Sequence, residues 1–404
     1  MKKLLIATTA VAGLAMFATP AMAQGLSLDL GGFYRGYALN MDDDAPVVAG
    51  SRREFNLRHD SEVYFTGEVT LDNGLTVGVH NEIDLGHEGA ANSIFNDTTD
   101  ETYAYFSGNW GRVNMGREDG AQYLLQVAAP SGDSNVDGLR QYFGGFNSYA
   151  GDRLAGLTDF GVNAIAGGAG GALSGSVNGL GQDYANDMGR YTNKLTYFTP
   201  KFNGFQAGVS YAPEVTNGVQ AINQNLHGQA SDDDAGDFED LWEVAARWDG
   251  EFEGVGLSFG AGWGQANLEL TNGGNDTIGS DDRTQWNIAA AASWNQFSTG
   301  LVYKEDNHGI TGAGAFDQEE TWVFGLAWDN GPWHAGASYM NSDYEFQGAT
   351  RDPEIERFTV GGGYEFGPGM SFRGAVAFGS LDNNVAAADN RDFTQVTLGT
   401  EVNF

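Results

Sequence analysis

The last fourteen residues of the chain, 391–404, alternate between apolar and polar side chains, and this period of two strongly constrains the fold. Val396, Leu398, Val402 and Phe404 share a largely apolar face, whereas the residues between them are small or polar. Such alternation predicts a β-strand whose two faces meet different environments. About ten residues also suffice for a tilted strand to cross a bilayer. An apolar strand at a chain end avoids aggregation if it pairs with the first strand and closes a barrel.

The same alternation recurs along the chain and predicts sixteen antiparallel strands in a meander. These are residues 26–39, 57–71, 75–85, 103–106, 112–119, 190–198, 205–211, 241–248, 255–263, 285–294, 297–304, 320–328, 333–344, 355–366, 370–379 and 391–404. Tight turns join the strands at one end, for example Asp72-Asn73-Gly74, a strong hairpin motif. An even number of strands places both chain ends on one side, as in outer-membrane barrels.

Eight long segments join the strands at the other end of the predicted barrel. They are residues 42–50, 86–100, 120–189, 215–240, 271–282, 306–317, 345–354 and 381–390. Short turns at one end and long loops at the other are typical of transmembrane barrels. The third segment, 120–189, has no clear alternation, and loops of this length are usually functional. The predicted fold is a sixteen-stranded transmembrane β-barrel with 120–189 folded into the lumen as a candidate constriction loop.

Composition and the N-terminus place this barrel outside the cytoplasm. Residues 1–23 combine two lysines, an apolar run and an Ala-Met-Ala cleavage site, so they are predicted to be a signal peptide that is removed from a mature chain of residues 24–404. The chain has no cysteine, and a closed hydrogen-bonded barrel would supply rigidity without disulfides. The 54 acidic residues against 20 basic ones argue against a nucleic-acid partner.

Pairs of tryptophans on one strand face support a membrane barrel over a soluble β-sandwich. The members of each pair are six or eight residues apart, which corresponds to roughly 20–27 Å along a strand, and the pairs are Trp242 with Trp248, Trp286 with Trp294, and Trp322 with Trp328. With tilt, this spacing places the rings near the two edges of an apolar band about 25 Å tall. A sandwich would not explain why the turns are short at one end only.

The polar strand faces are expected to line an aqueous lumen, because sixteen strands enclose a channel rather than a filled interior. The inward basic residues by alternation are Arg35, Arg58, Arg112, Lys194, Arg247, Lys304 and Arg373. The constriction loop and its root would supply the acidic residues Glu118, Asp119, Asp133, Asp137, Asp152 and Asp159. Facing charges of opposite sign would create a transverse field that favours polar solutes.

Metal-binding and catalytic motifs are weak. His80, Glu82 and Asp84 share one strand face and are interpreted as lumen lining, because His87 and Glu88 fall in the following loop. One acidic loop is a weak Ca²⁺ candidate, although it lacks the glycine and glutamate of an EF-hand; its carboxylates are Asp232, Asp233, Asp234 and Asp237. His-Glu-x-x-His does not occur in the sequence, and the one Gly-x-Ser-x-Gly match, at 256–260, lies inside the predicted strand 255–263 rather than at a strand-to-helix turn. Catalysis is therefore not predicted, and Ca²⁺ is the one cofactor suggested.

Three stretches resemble the Gram-negative general porins, most closely the trimeric porins of purple and related bacteria. They are residues 61–84 (SEVYFTGEVTLDNGLTVGVHNEID), 102–120 (TYAYFSGNWGRVNMGREDG) and 397–404 (TLGTEVNF). The resemblance implies a homotrimer in the outer membrane, in contact with lipid and lipopolysaccharide, that passes ions and small hydrophilic solutes by passive diffusion. It implies that Arg35, Arg58 and Arg112 follow the family's inner-wall pattern. It also implies that the insertion machinery reads the terminal Phe404.

Two other functions fit parts of the sequence. A solute-specific channel would use loop aromatics as a binding track, with saturable flux as its signature; the candidates are Tyr142, Phe143, Phe146 and Tyr149. An outer-membrane hydrolase would need a serine or aspartate beside a histidine near the rim, and the six histidines show no such grouping. The sequence therefore favours a general diffusion porin.

Overall fold

The computed structural model describes residues 25, 27–43, 54–85, 99–132, 184–215, 238–268, 281–309, 316–346, 354–382 and 391–404. The strands are β1 Ser27–Asp43, β2 Phe55–Thr70, β3 Thr76–Asp84, β4 Thr102–Gly108, β5 Gly111–Glu118, β6 Thr192–Phe198, β7 Phe205–Glu214, β8 Phe238–Phe252, β9 Val255–Leu268, β10 Arg283–Trp294, β11 Phe297–Asp306, β12 Phe316–Asn330, β13 Trp333–Phe346, β14 Glu354–Gly367, β15 Met370–Asp382 and β16 Arg391–Asn403. One short helix, α1 (Ala121–Leu124), follows β5. Helices in the described ranges fall short of the length and hydropathy that a bilayer-spanning helix requires.

The strands form one closed antiparallel barrel in which each strand pairs with its neighbours in sequence and β1 pairs with β16. The closing register sets Arg35 opposite Glu401 and Tyr37 opposite Gly399. Because the side-chain period is two, this register places the polar face of β16 inside the barrel and its apolar face outside. The predicted sixteen-stranded antiparallel barrel is confirmed.

Several strands extend further into the long connections than the alternation predicted. β1 continues to Asp43, β8 begins at Phe238, and β9 continues to Leu268. A strand that leaves the apolar band meets water on both faces, so its residues lose the period of two while its backbone hydrogen bonds continue. The sequence pattern therefore marks the membrane-facing part of each strand better than its full length.

The outer face of the barrel is apolar and ends in aromatic rings. Leu28, Leu57 and Ile288 are all more than half exposed on this face. Near the barrel end that carries the long connections, the centroid of the Tyr303 ring lies 5.1 Å from that of Trp286 and 4.5 Å from that of Trp322. Exposed apolar side chains bounded by aromatic rings match the surface that a bilayer requires.

The packed core of the protein lies inside the barrel, against one part of its wall. Residues of the segment after β5 and residues just before β6 pack on the inner faces of β10 to β13. The cluster consists of Tyr123, Val127, Ala129, Tyr184, Ala185, Ala289, Val302, Val323 and Met340. Apolar packing thus fixes both ends of the long third connection to the wall.

Candidate functional site

Residues 120–132 run across the inner wall of the barrel from β7 to β13. The backbone N–H of Ala121 donates to Ser210 Oγ on β7 (2.8 Å). Farther along, the guanidinium of Arg247 on β8 donates to the carbonyl oxygen of Gln126 (3.4 Å). His334 Nε2 on β13 lies 2.8 Å from the carbonyl oxygen of Ser131. This part of the third connection therefore occupies the lumen instead of projecting beyond the rim.

A row of glycines, here called the glycine row, makes space for this segment on the wall. A Cβ at Gly325 would collide with the carbonyl oxygen of Pro130, and a Cβ at Gly336 would lie 2.8 Å from that of Ser131. The row spans β9 to β14 and consists of Gly260, Gly262, Gly264, Gly300, Gly325, Gly336 and Gly361. Glycine is required where one backbone approaches another this closely. The wall is thus shaped to receive residues 120–132.

The returning end of the third connection stabilises the same segment. Gln126 Nε2 donates to the carbonyl oxygen of Tyr184 (2.8 Å), and Gln126 Oε1 accepts from the backbone N–H of Asn186 (2.9 Å). Asn186 Nδ2 also donates to Gln122 Oε1 (3.1 Å). A buried side-chain amide that both donates and accepts a hydrogen bond, as Gln126 does, makes the contact between the two ends of the connection rigid.

Several predicted site residues lie outside the described residues. These are the loop acids Asp133, Asp137, Asp152 and Asp159, the aromatic track Tyr142, Phe143, Phe146 and Tyr149, and the Ca²⁺ candidates Asp232, Asp233, Asp234 and Asp237. Their roles stay predictions.

All seven predicted basic residues lie on the inward phase of their strands, but three of them are buried in the wall. Arg35 is 2% exposed and lies between Asp60 (3.6 Å) and Glu401 (3.9 Å). Lys194 Nζ donates to the backbone carbonyl oxygens of Glu118, Gly189 (2.7 Å) and Thr192 (3.0 Å). Lys304 is 6% exposed. Arg35 thus connects β1 with its two neighbouring strands, and Lys194 connects β6 with the loop root.

The other four basic residues are half-buried on the inward faces of their strands. The Arg112 guanidinium stacks over the Tyr105 ring at 3.9 Å, a cation–π contact. Arg247 Nε donates to Asp249 Oδ1 (2.9 Å), and Arg373 Nε donates to Ser371 Oγ (3.3 Å). Arg58, on β2, is also half-buried.

The acidic residues at the loop root are buried. Glu118 is 3% and Asp119 6% exposed, and Glu118 Oε1 accepts from Asn114 Nδ2 (2.6 Å). Glu101, which precedes β4, accepts from the backbone N–H of Asp119 (3.2 Å). Burial, followed by the negative charges of Glu82, Asp119 and Glu118, raises the pKa of Glu101 well above its usual range. Carboxyl groups are therefore concentrated where the third connection leaves the wall.

Asp29 on β1 and Glu68 on β2 were missed as site residues in the sequence, whereas Glu82 on β3 was already interpreted as lumen lining. Asp29 is exposed, Glu68 and Glu82 are half-buried, and all three lie on the inward phase. Glu68 Oε2 accepts from the Tyr105 hydroxyl (2.5 Å). Only the strand registers show that these residues share one part of the lumen wall.

Comparison with known proteins agrees with this architecture. A family model described as Gram-negative porin matches residues 7–384. A stretch of 119 residues is 29% identical to an uncharacterised protein of Rickettsia conorii; the match spans 29% of this chain and a quarter (25%) of that protein.

Solved structures show the same fold at low identity. An anion-selective porin from Comamonas acidovorans is similar with a TM-score of 0.58 and 18% identity, over 94% of this chain and 100% of that one. An outer-membrane protein of Vibrio cholerae lacking its loop L8 gives a TM-score of 0.56 and 12% identity, with the same coverage. Family and fold point to a channel rather than an enzyme. The chain belongs to the Gram-negative porin family and forms an outer-membrane channel for the passive diffusion of solutes.

Proposed function

We propose that this channel is a general pathway for ions and small hydrophilic solutes, that residues 120–132 narrow it, and that it prefers cations. The proposed cation preference rests on one observation: the side chains of Asp29, Glu68 and Glu82, on β1 to β3, lie on the inward phase of their strands. This wall lies across the barrel from the glycine row, according to the strand order. Solutes would therefore pass between the packed segment and an acidic wall.

Fixed negative charge on a low-dielectric wall concentrates cations near it and repels anions. Arg58 and Arg112 lie on the same side of the barrel, so this wall carries both signs of charge. Such a mixture orders water and disfavours apolar solutes, whereas the excess of carboxylates sets the ion preference. The anion selectivity named for the Comamonas porin belongs to that protein, because likeness at 18% identity concerns the fold alone.

The loop acids complete this proposal. Asp133, Asp137, Asp152 and Asp159 follow directly in the connection whose first residues lie on the wall. We expect them to face the lumen from the constriction loop, with Glu118 and Asp119 holding its root. They would add to the acidic character of the narrowest part.

The reversal potential in a salt gradient across a planar bilayer tests the cation preference. We expect a cation-selective wild-type channel and a permeability ratio that falls roughly twofold in Glu68→Gln, because a unit charge near a passing ion contributes about 1 kcal/mol or less in water. Asp72→Asn is the matched control, since Asp72 is exposed in a tight turn. Anion selectivity, or equal shifts in both variants, would overturn the proposal.

Several partners follow from the same resemblance and are also proposed. The chain would form a homotrimer, and its exposed apolar face would contact outer-membrane lipid and lipopolysaccharide. The Phe404 side chain is 63% exposed at the end of β16, where the insertion machinery would reach it. Residues 1–23 lie outside the described residues and would be cleaved. Cross-linking of the purified protein tests the trimer, and N-terminal sequencing tests cleavage before Gln24.

A further inference from the structure

Two neighbouring strands bring one imidazole and two carboxylates together on the lumen wall. His80 and Glu82 lie on β3, and Glu101 immediately precedes β4. One ligand atom from each residue lies within 4.8 Å of the others. We propose that these three residues bind a divalent first-row transition-metal ion, represented by Zn²⁺. This site goes beyond solute diffusion, and its third ligand, Glu101, lies just before β4 and was not connected with His80 by sequence spacing.

The backbone fixes the two carboxylates opposite each other. The N–H of Glu82 donates to the carbonyl oxygen of Glu101 (2.8 Å), and the N–H of Asp100 donates to that of Glu82 (3.2 Å). Side chains directly opposite on antiparallel strands lie close together, and like charges in this position repel. A bound cation would offset this repulsion.

Neighbouring groups already orient the ligands. Thr66 Oγ1 lies 2.7 Å from His80 Nδ1, which leaves Nε2 directed to the carboxylates, 3.1 Å from Glu82 Oε1. The N–H of Asp119 holds one oxygen of Glu101 at 3.2 Å. The Tyr103 ring lies 5.3 Å from the imidazole, between centroids. Metal-binding histidines usually have their second nitrogen held in this way, and such partners contribute to affinity.

The donor set selects the class of metal. One imidazole nitrogen with carboxylate oxygens suits Zn²⁺ and its first-row neighbours. Ca²⁺ and Mg²⁺ prefer shells made of oxygen atoms, with six or more ligands. Three protein ligands also leave positions for water, which the lumen supplies. A bound ion would add positive charge beside Glu68 and Asp29 and weaken the cation preference of the channel.

Calorimetric titration of the full-length, folded protein in detergent micelles with ZnCl₂ tests the site. We expect one Zn²⁺ per chain, with affinity lowered at least tenfold in His80→Ala and in Glu101→Gln. Glu101→Gln keeps the size of the side chain, so it serves as the test if His80→Ala fails to fold. His59→Ala is the matched control, because His59 is exposed on the opposite face of β2 and stacks near Tyr34.

Wild-type affinity in both His80→Ala and Glu101→Gln would overturn the proposal, as would absence of stoichiometric binding or an equal loss in His59→Ala. Ca²⁺ or Mg²⁺ binding as tight as Zn²⁺ would overturn the assigned metal class. A second readout is the reversal potential, which Zn²⁺ should shift toward lower cation preference in wild type but not in His80→Ala. Binding is measured without current, so failure of the proposed ion preference would leave the metal test intact.

Discussion

Gly32 and Phe404 exchange two backbone hydrogen bonds, from Gly32 N to Phe404 O at 2.9 Å and from Phe404 N to Gly32 O at 3.0 Å. These bonds continue the β1–β16 ladder to the last residue of the chain. A Cβ on Gly32 would lie 2.9 Å from the Phe404 ring and would collide with the carbonyl oxygen of Glu62. Closure of the barrel therefore depends on a glycine at this position.

Gly32→Val should hinder barrel closure, because the added atoms collide with backbone on β2 as well as with the terminal ring. Overpacking of this kind costs about 1–3 kcal/mol or more. We expect a lower yield of the heat-modifiable folded form on gel electrophoresis after refolding into detergent. Gly67→Val is the control, since a Cβ at Gly67 meets nothing within 4 Å. Equal refolding yields for the two variants would contradict the assigned role of Gly32.

Gly325→Ala should narrow the channel. The new Cβ cannot share space with the carbonyl oxygen of Pro130, and both groups belong to backbone that yields little. Residues 120–132 would move away from the wall toward the lumen axis, so we expect a smaller single-channel conductance. Gly31→Ala is the control, because its nearest neighbour would lie at 3.4 Å. Unchanged conductance in Gly325→Ala would show that the segment does not limit the current.

Asp306→Ala should destabilise the barrel. Asp306 is fully buried and accepts from Arg283 (2.6 and 3.1 Å), from Gln285 Nε2 (2.7 Å) and from the N–H of His308 (2.8 Å). Its removal leaves the Arg283 charge buried, which costs about 3–5 kcal/mol. Guanidinium unfolding in lipid vesicles, followed by tryptophan fluorescence, measures this change.

Asp329→Ala is the comparison for that measurement. Asp329 also contacts a basic side chain, with Oδ1 at 2.7 Å from His334 Nδ1, but the Asp329 side chain is 61% exposed. Exposed pairs contribute about 0–1 kcal/mol. A loss for Asp306→Ala no larger than that for Asp329→Ala would mean that the buried cluster does not stabilise the fold.

The period of two was sufficient to predict the strands, because the strands of a barrel share one inside–outside rule. It did not predict which inward basic residues are buried in the wall and which are only half-buried. Lys194 alternates inward as Arg112 does, yet its ammonium is enclosed by the loop root. That difference depends on residues distant in sequence.

The alternation also did not predict the course of residues 120–132, because this segment has no period of its own. The sequence of the wall against which it packs does contain a signal of this course. Gly260, Gly262 and Gly264 repeat at the inward phase of β9, where a solvated lumen would not require glycine. Likewise, Glu82 and Glu101 belong to separate sequence elements, and only the β3–β4 register makes them neighbours.

Single-channel current through the purified protein in a planar bilayer, measured over a range of KCl concentrations with and without sugars, is the decisive experiment. An open, water-filled lumen predicts large steps, grouped in threes for a trimer, that rise in proportion to salt and show no sugar block. Small, saturating steps blocked by one solute would indicate a specific binding track. Absence of current from a folded, inserted protein would contradict the channel itself.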